Sequence, residues 1–189
     1  PETFLISPIW YDEINNNRSI NKFKSILRQY PNLSIVVGGV TLELSEKEPR
    51  AKPLSQESDQ WYKVYNTALS ISNTELKMYH KSKLVPGAEQ MPFQEFLYPI
   101  FNDQVLQIGN STALGNFAKQ DSISLFSTFS KNYLAPIICY ESIYGDYVRQ
   151  FIDKGAELIC VITNDGWWKK TSCYLQHHAY ARLRAIETR

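Results

Sequence analysis

The stretch from Leu134 to Trp168, LAPIICYESIYGDYVRQFIDKGAELICVITNDGWW, constrains the fold more than any other. Ala135 to Cys139 is a short apolar run suited to a buried strand. Ile143, Tyr147, Val148 and Phe151 then recur at helical spacing, and Gly155 marks the helix end. Leu158 to Thr163 is a second strand-like run, rich in Ile and Val. Two strands joined by a helix predict a parallel pair in an α/β sheet, because parallel strands need a crossover connection. Ligands of open α/β sheets bind beyond the carboxyl ends of the strands. Cys139 stands at one such end, and Asn164 and Asp165 at the other.

A cysteine at a strand-to-helix turn has two readings. As a nucleophile it gains from the helix N-terminus, which lowers the thiol pKa, and backbone N–H groups there can hold an oxyanion. As a structural residue it is core, the commoner fate of cysteine. Periodicity does not separate the two.

The 189 residues suffice for one domain with a sizeable core. A formal charge of +1 gives no electrostatic case for nucleic acid. No apolar run approaches the roughly 20 residues that span a bilayer, and no secretory signal opens the chain. Three cysteines imply no disulfide framework. The chain begins on Pro1 without an initiator Met and stops on a charged helical pattern at Arg189, so it is expected to be excised from something longer.

Elsewhere, Ser7 to Asn17 is expected to be a loop after PETFLI. Ile20, Phe23, Ile26 and Leu27 predict an amphipathic helix ended near Tyr30 and Pro31. Leu33 to Val40 is expected to be a strand, Glu43 to Gln60 an exposed loop, Tyr62 to Ser70 a strand with Asn66 and Thr67 inside it, and Ile123 to Phe126 a short strand. Leu76 to Tyr79 leads into Lys81, and residues 84–100 look irregular. Tyr174 to Thr188 reads as a helix, with Arg182, Arg184 and Glu187 forming ion pairs on its surface.

Glu2, Lys81 and Cys139 lie near strand ends. A carboxylate, an amine and a thiol suit acyl transfer: the thiol attacks a carbonyl, the carboxylate takes its proton, and the ammonium steadies the oxyanion. Composition alone leaves Lys83 as good a candidate as Lys81.

PET, then KSKLVPGAE, then CYES, in this order and at these separations, resembles the nitrilase (carbon–nitrogen hydrolase) superfamily. That resemblance implies an α-β-β-α sandwich, incomplete at both ends, over residues 1–189, and a Glu–Lys–Cys triad of Glu2, Lys81 and Cys139. It prefers Lys81 because the family's lysine stands three residues before the leucine, here Leu84. LVPGAE, CYES, WYKVYNTAL at 61–69, and ITNDGWW with Gln176, His177 and ARLRAIETR resemble the apolipoprotein N-acyltransferase branch more closely. The branch often carries Phe-Gly where this chain has Gly87 and Ala88.

The resemblance implies supporting roles for Glu89, Tyr140 and Glu141, and no metal or cofactor. It implies a phospholipid acyl donor, a lipoprotein's diacylglyceryl-cysteine amine as acceptor, and flanking membrane helices that set the domain on the periplasmic side of a bacterial inner membrane. A soluble nitrilase-type amidase shares the triad, and a non-catalytic binding module shares the fold.

Other residues keep two readings. Asn164, Asp165 and Trp167 form an ordinary turn or line a substrate pocket. Trp61, Trp167 and Trp168 are core, or rim an apolar entrance for acyl chains. Cys173 and His177 have metal-pair spacing without a second pair to complete a zinc site. Cys160 is expected in the core.

Overall fold

The structure, a computed structural model, describes residues 1–55, 57–90, 117–169 and 171–189, with Trp167 described in its backbone alone. In chain order the regular elements are β1 (Leu5–Trp10), α1 (Arg18–Gln29), β2 (Ile35–Ser45), β3 (Lys52–Pro53), β4 (Trp61–Ile71), β5 (Leu76–His80), β6 (Phe126–Ser127), β7 (Tyr133–Ile138), α2 (Gly145–Asp153), β8 (Leu158–Ile162) and α3 (Cys173–Thr188). Short 3₁₀ turns fill Tyr11–Asn16, Cys139–Ile143 and Asp165–Trp168.

Among the described residues the strands form two sheets. The first runs β1-β2-β4, with β3 and β5 both pairing the far edge of β4. β2 and β4 are antiparallel in unbroken register from Ile35↔Ile71 to Ser45↔Trp61. The second sheet runs β6-β7-β8, and β7 and β8 are parallel, as the sequence predicts. α1 covers the outer face of the first sheet: Ile20 and Leu27 are fully buried in a core with Leu5, Val37, Leu69 and Ile71. Asn17 caps this helix by accepting from the backbone of Ser19 and Ile20. The other core joins Ala68 and Tyr79 of the first sheet to Ile137 and Ile138 of the second and to Val148 and Phe151 of α2. The layers are therefore α-β-β-α.

Four local expectations are corrected. Ser7–Trp10 is strand, because β1 pairs in parallel with β2 across an irregularity between Leu5 and Ile9. Pro8 falls in that irregularity, where a missing N–H is tolerated. β2 continues to Ser45, well into the expected loop, because the eleven residues of β4 offer it a full-length partner. The expected strand at Ile123–Phe126 is instead Phe126–Ser127, fixed by pairing with Leu134 and Tyr133. Arg184 is buried rather than on the helix surface, and its guanidinium packs toward Gly145 while pairing with Glu187 at 3.0 Å.

No helix among the described residues is long and apolar enough to cross a membrane.

Candidate active site

Glu2 is placed by close backbone contact. The N–H of Gly38 on β2 donates to the Pro1 carbonyl at 3.0 Å, and the N–H of Glu2 reaches the Thr163 carbonyl past the end of β8 at 3.4 Å. A Cβ at Gly38 would lie 2.3 Å from the Glu2 carbonyl oxygen and 2.6 Å from its Cα. Only glycine lets the Pro1–Glu2 segment settle there. The Glu2 side chain is buried, its Oε2 accepting from the Asn164 N–H at 3.2 Å.

Lys81 follows β5, and its N–H donates to the Asn66 carbonyl of β4 at 2.8 Å. Its ammonium is fully buried, 2.8 Å from Glu89 Oε1 and 3.4 Å from Glu2 Oε1. Asn66 Nδ2 bridges the same two carboxylates, donating to Glu2 at 2.6 Å and to Glu89 at 3.2 Å. Glu89 Oε2 accepts from the Val85 N–H at 2.8 Å, which closes the loop carrying it. Burial works against the Lys81 charge, but the carboxylates of Glu2 and Glu89 and the neighbouring Cys139 outweigh it, so the ammonium is held above its ordinary value.

Cys139 directly follows β7 with a left-handed backbone, φ 47°. Burial pushes its thiol up to about 11, and Glu2 pushes the same way, while Lys81 and the Thr163 hydroxyl pull back. This corrects the expectation of a thiol lowered by a helix terminus. A five-residue 3₁₀ turn starts at Cys139 itself, and α2 starts only at Gly145. The cluster holds two carboxylates against one ammonium, so a thiolate there adds to an excess of negative charge.

Glu141 faces inward from that turn. Its Oε2 accepts from the Ile138 N–H at 2.8 Å, and its Oε1 from the Tyr79 hydroxyl and the Ser82 N–H at 2.6 Å each and the Lys83 N–H at 3.2 Å. One carboxylate thereby joins the cysteine turn to the lysine turn. Lys83 itself points away from this cluster, with its ammonium 5.0 Å from the Tyr147 ring centre.

The structure thus brings Glu2, Lys81, Glu89 and Cys139 together and sets Glu141 behind them. Tyr140 is half-buried with its ring edge-on to Tyr144, 5.4 Å between centres. Asn164 is spent on internal bonds: its amide nitrogen donates to Thr3 at 2.9 Å and its oxygen accepts from Gly166. Asp165 pairs with His177 at 2.7 Å, and Trp168 is exposed. The Trp167 side chain lies outside the described residues. Cys160 is half-buried against the core between the sheets. Among the described residues no three His, Cys, Asp or Glu side chains converge as metal ligands, and His177 bonds to Asp165 rather than pairing with Cys173.

Sequence reasoning did not single out Asn66, Tyr79 or Thr163 as site residues, and it named His177 only for its metal-pair spacing with Cys173 and for the branch resemblance. For Asn66 a signal existed: an amide side chain in an otherwise apolar strand must find partners if buried.

The profile of the carbon-nitrogen hydrolase family matches residues 29–189, a span that holds Lys81 and Cys139 and begins after Glu2. Among curated proteins, the chain is 31% identical over 134 residues to the apolipoprotein N-acyltransferase of Chlorobaculum tepidum, covering 68% of this chain and 24% of that protein. It is 33% identical over 152 residues to that of Aquifex aeolicus, covering 79% and 32%. The chain thus spans about a quarter to a third of those relatives' lengths. Among solved structures it superposes on Saccharomyces cerevisiae Nit3, of branch 10 of the nitrilase superfamily, with a TM-score of 0.53 at 17% identity, covering 90% of this chain and 47% of the other. It superposes on a carbon-nitrogen hydrolase from Helicobacter pylori with a TM-score of 0.50 at 14% identity, covering 93% and 48%.

Proposed function

The chain belongs to the carbon-nitrogen hydrolase family, and from that premise we propose that it is the catalytic domain of an N-acyltransferase working through a thioester on Cys139. The observation that carries this reading is the fully buried Lys81 held between the carboxylates of Glu2 and Glu89 beside Cys139.

The raised thiol means that Cys139 needs a base at neutral pH, and Glu2 is the base at hand. Glu2 takes the thiol proton as sulfur attacks the ester carbonyl of a phospholipid. The carbonyl oxygen gains the negative charge. Lys81 has three N–H donors and two carboxylate partners, which leaves one donor for that oxyanion, and the Tyr140 N–H supplies a second. The tetrahedral intermediate expels the lysophospholipid oxygen, which takes the proton from Glu2, and the acyl group remains on sulfur. The α-amine of an apolipoprotein's diacylglyceryl-cysteine then attacks the thioester. Glu2 accepts its proton, the C–S bond breaks, the leaving sulfur takes that proton back from Glu2, and an amide forms. Glu89 and Glu141 keep Lys81 and the two turns in place, and Tyr140, Asn164, Asp165, Trp167 and Trp168 are the residues to be tested as the substrate-facing rim. On this reading the domain works at the periplasmic face of a bacterial inner membrane, and no cofactor enters a step. The names of the curated relatives support the acyl transfer.

The test is intact-protein mass spectrometry on the full-length protein. Phospholipid alone should leave an acyl adduct on Cys139 that persists, because water must be kept off a thioester awaiting an amine. Adding the lipoprotein should discharge it. Loss of the adduct at one rate with or without acceptor, with free fatty acid released, would favour an amidase-like hydrolase. No adduct at all would favour a binding module.

A further inference from the structure

Both ring nitrogens of His177, on α3, are engaged beside the nucleophile. Nε2 lies 3.0 Å from the Cys139 carbonyl oxygen and 3.1 Å from Ser142 Oγ, and Nδ1 lies 2.7 Å from Asp165 Oδ1. Ser142, His177 and Asp165 have the connectivity of a Ser–His–Asp hydrolase triad. The surroundings exclude that role. Ser142 is fully buried, and its hydroxyl donates to the Cys139 carbonyl at 2.8 Å. A hydroxyl with no access and a committed hydrogen is not a nucleophile.

The network therefore converges on the Cys139 carbonyl. Its reason lies in the backbone. A non-glycine residue at φ 47° carries a steric cost of roughly 1–2 kcal/mol and persists only where its surroundings enforce it. The Ser142 hydroxyl donates to this carbonyl, and His177 Nε2 donates to it as well when both ring nitrogens carry hydrogen, and the two contacts supply that enforcement. At the opposite end of the network, Asp165 opens the turn that follows Asn164, whose N–H holds Glu2 Oε2 at 3.2 Å. A single imidazole thus spans from the backbone of the thiol to the loop that holds the carboxylate.

We infer that His177 is a positioning residue: through the Cys139 carbonyl and Asp165 it locks the left-handed cysteine turn to the loop that holds Glu2. This rests on the reading of Cys139 as nucleophile. Its effect is on the attack geometry, where a displacement of about 1 Å can cost on the order of 10²-fold in rate.

The test compares His177→Ala, His177→Gln and His177→Asn in the full-length protein. A Gln amide can place a donor near the Nε2 position, toward the Cys139 carbonyl, whereas an Asn amide reaches only toward Asp165. Three quantities are read: kcat and KM for acyl transfer, the rate of Cys139 carbamidomethylation by iodoacetamide with Cys160 as internal reference, and the melting temperature. His177→Ala should lower kcat by about 10²-fold with KM within about twofold, and should slow alkylation of Cys139 alone. His177→Gln should recover most of both rates, and His177→Asn less. Parental rates in His177→Ala overturn the inference. So do equal losses in all three variants that follow the melting temperature, since those report a merely structural histidine. Should His177→Ala fail to fold, the order of Gln above Asn still decides it, and equality overturns it. Alkylation requires no turnover, so a chain inactive on the proposed substrates can still decide the role of His177. Acyl transfer surviving in Cys139→Ala would instead remove the reading beneath it.

Discussion

The Tyr79 hydroxyl of β5 donates to the Glu141 carboxylate on the turn after β7 at 2.6 Å, inside the core where the layers meet. Tyr79→Phe leaves Glu141 three backbone donors and should cost about 1–2 kcal/mol. Glu141→Ala removes the acceptor of four donors at once, those of Tyr79 and Ile138 buried, and should cost about 3–5 kcal/mol. Denaturant melts of the two variants check the order. A Glu141→Ala protein as stable as its parent would show that the carboxylate holds nothing.

Glu141 also predicts a pH dependence. Burial raises its pKa above 4.5, outweighing the hydrogen bonds from Tyr79, Ile138, Ser82 and Lys83, which lower it. The folded state therefore keeps the proton longer than the unfolded state. The stability this contributes is fully present below 4.5, the unfolded value, and is lost as pH rises through the raised folded value. Melts of Glu141→Gln, which cannot ionise, should lack this decline. An identical decline in Glu141→Gln and parent would assign it to other groups.

Glu2→Gln should separate thiol ionisation from turnover. Glu2 is one of the charges holding the Cys139 thiol near 11, second to burial. Removing its charge moves the thiol titration downward, so iodoacetamide should alkylate Cys139 faster at neutral pH. Acyl transfer should fall by at least about 10²-fold, because the base is gone. Slower alkylation together with lost transfer would show that Glu2 acts on the thiol chiefly through position.

Gly38→Ala tests the seat of the base. The added methyl overlaps the Glu2 backbone, which cannot move aside as a flexible side chain would. The variant should lose about 1–3 kcal/mol of stability, and transfer should fall beyond what the remaining folded fraction explains. Full activity would mean that the Pro1–Glu2 segment has another resting place.

Cys139→Ala should abolish transfer, while Cys160→Ala and Cys173→Ala retain it, since neither of those sits in the cluster of Glu2, Lys81 and Glu89. Activity assays on the three variants suffice, and turnover in Cys139→Ala would end the thioester mechanism.

Local pattern made some of this molecule legible and left the rest dark for physical reasons. The parallel pairing of β7 with β8, and the place of Cys139 at a strand end, follow from two apolar runs and a helix between them. β1 was hidden because Pro8 and a register irregularity break its alternation. Ile143, the last residue of the Cys139–Ile143 turn, reads as part of the following helix because 3₁₀ and α backbones place side chains at nearly the same spacing over so few residues. The partners of Glu141 and His177 lie far along the chain, Tyr79 at a separation of 62 and the Cys139 carbonyl at 38. No periodicity carries such a pairing, and a donor's need for an acceptor does not say which one.

Pro1 and Glu2 belong to neither layer. Their backbone is fastened to the first sheet at Gly38 and to the second at Thr163. Lys81 travels with the first sheet and Cys139 with the second. If the layers drift apart, Glu2 must follow one and abandon the other, parting either from the Lys81 ammonium, which keeps Glu89, or from the Cys139 thiol. On the proposed mechanism the chemistry is thus wired to the seam as a tripwire is, and an opening that parts these groups stops it.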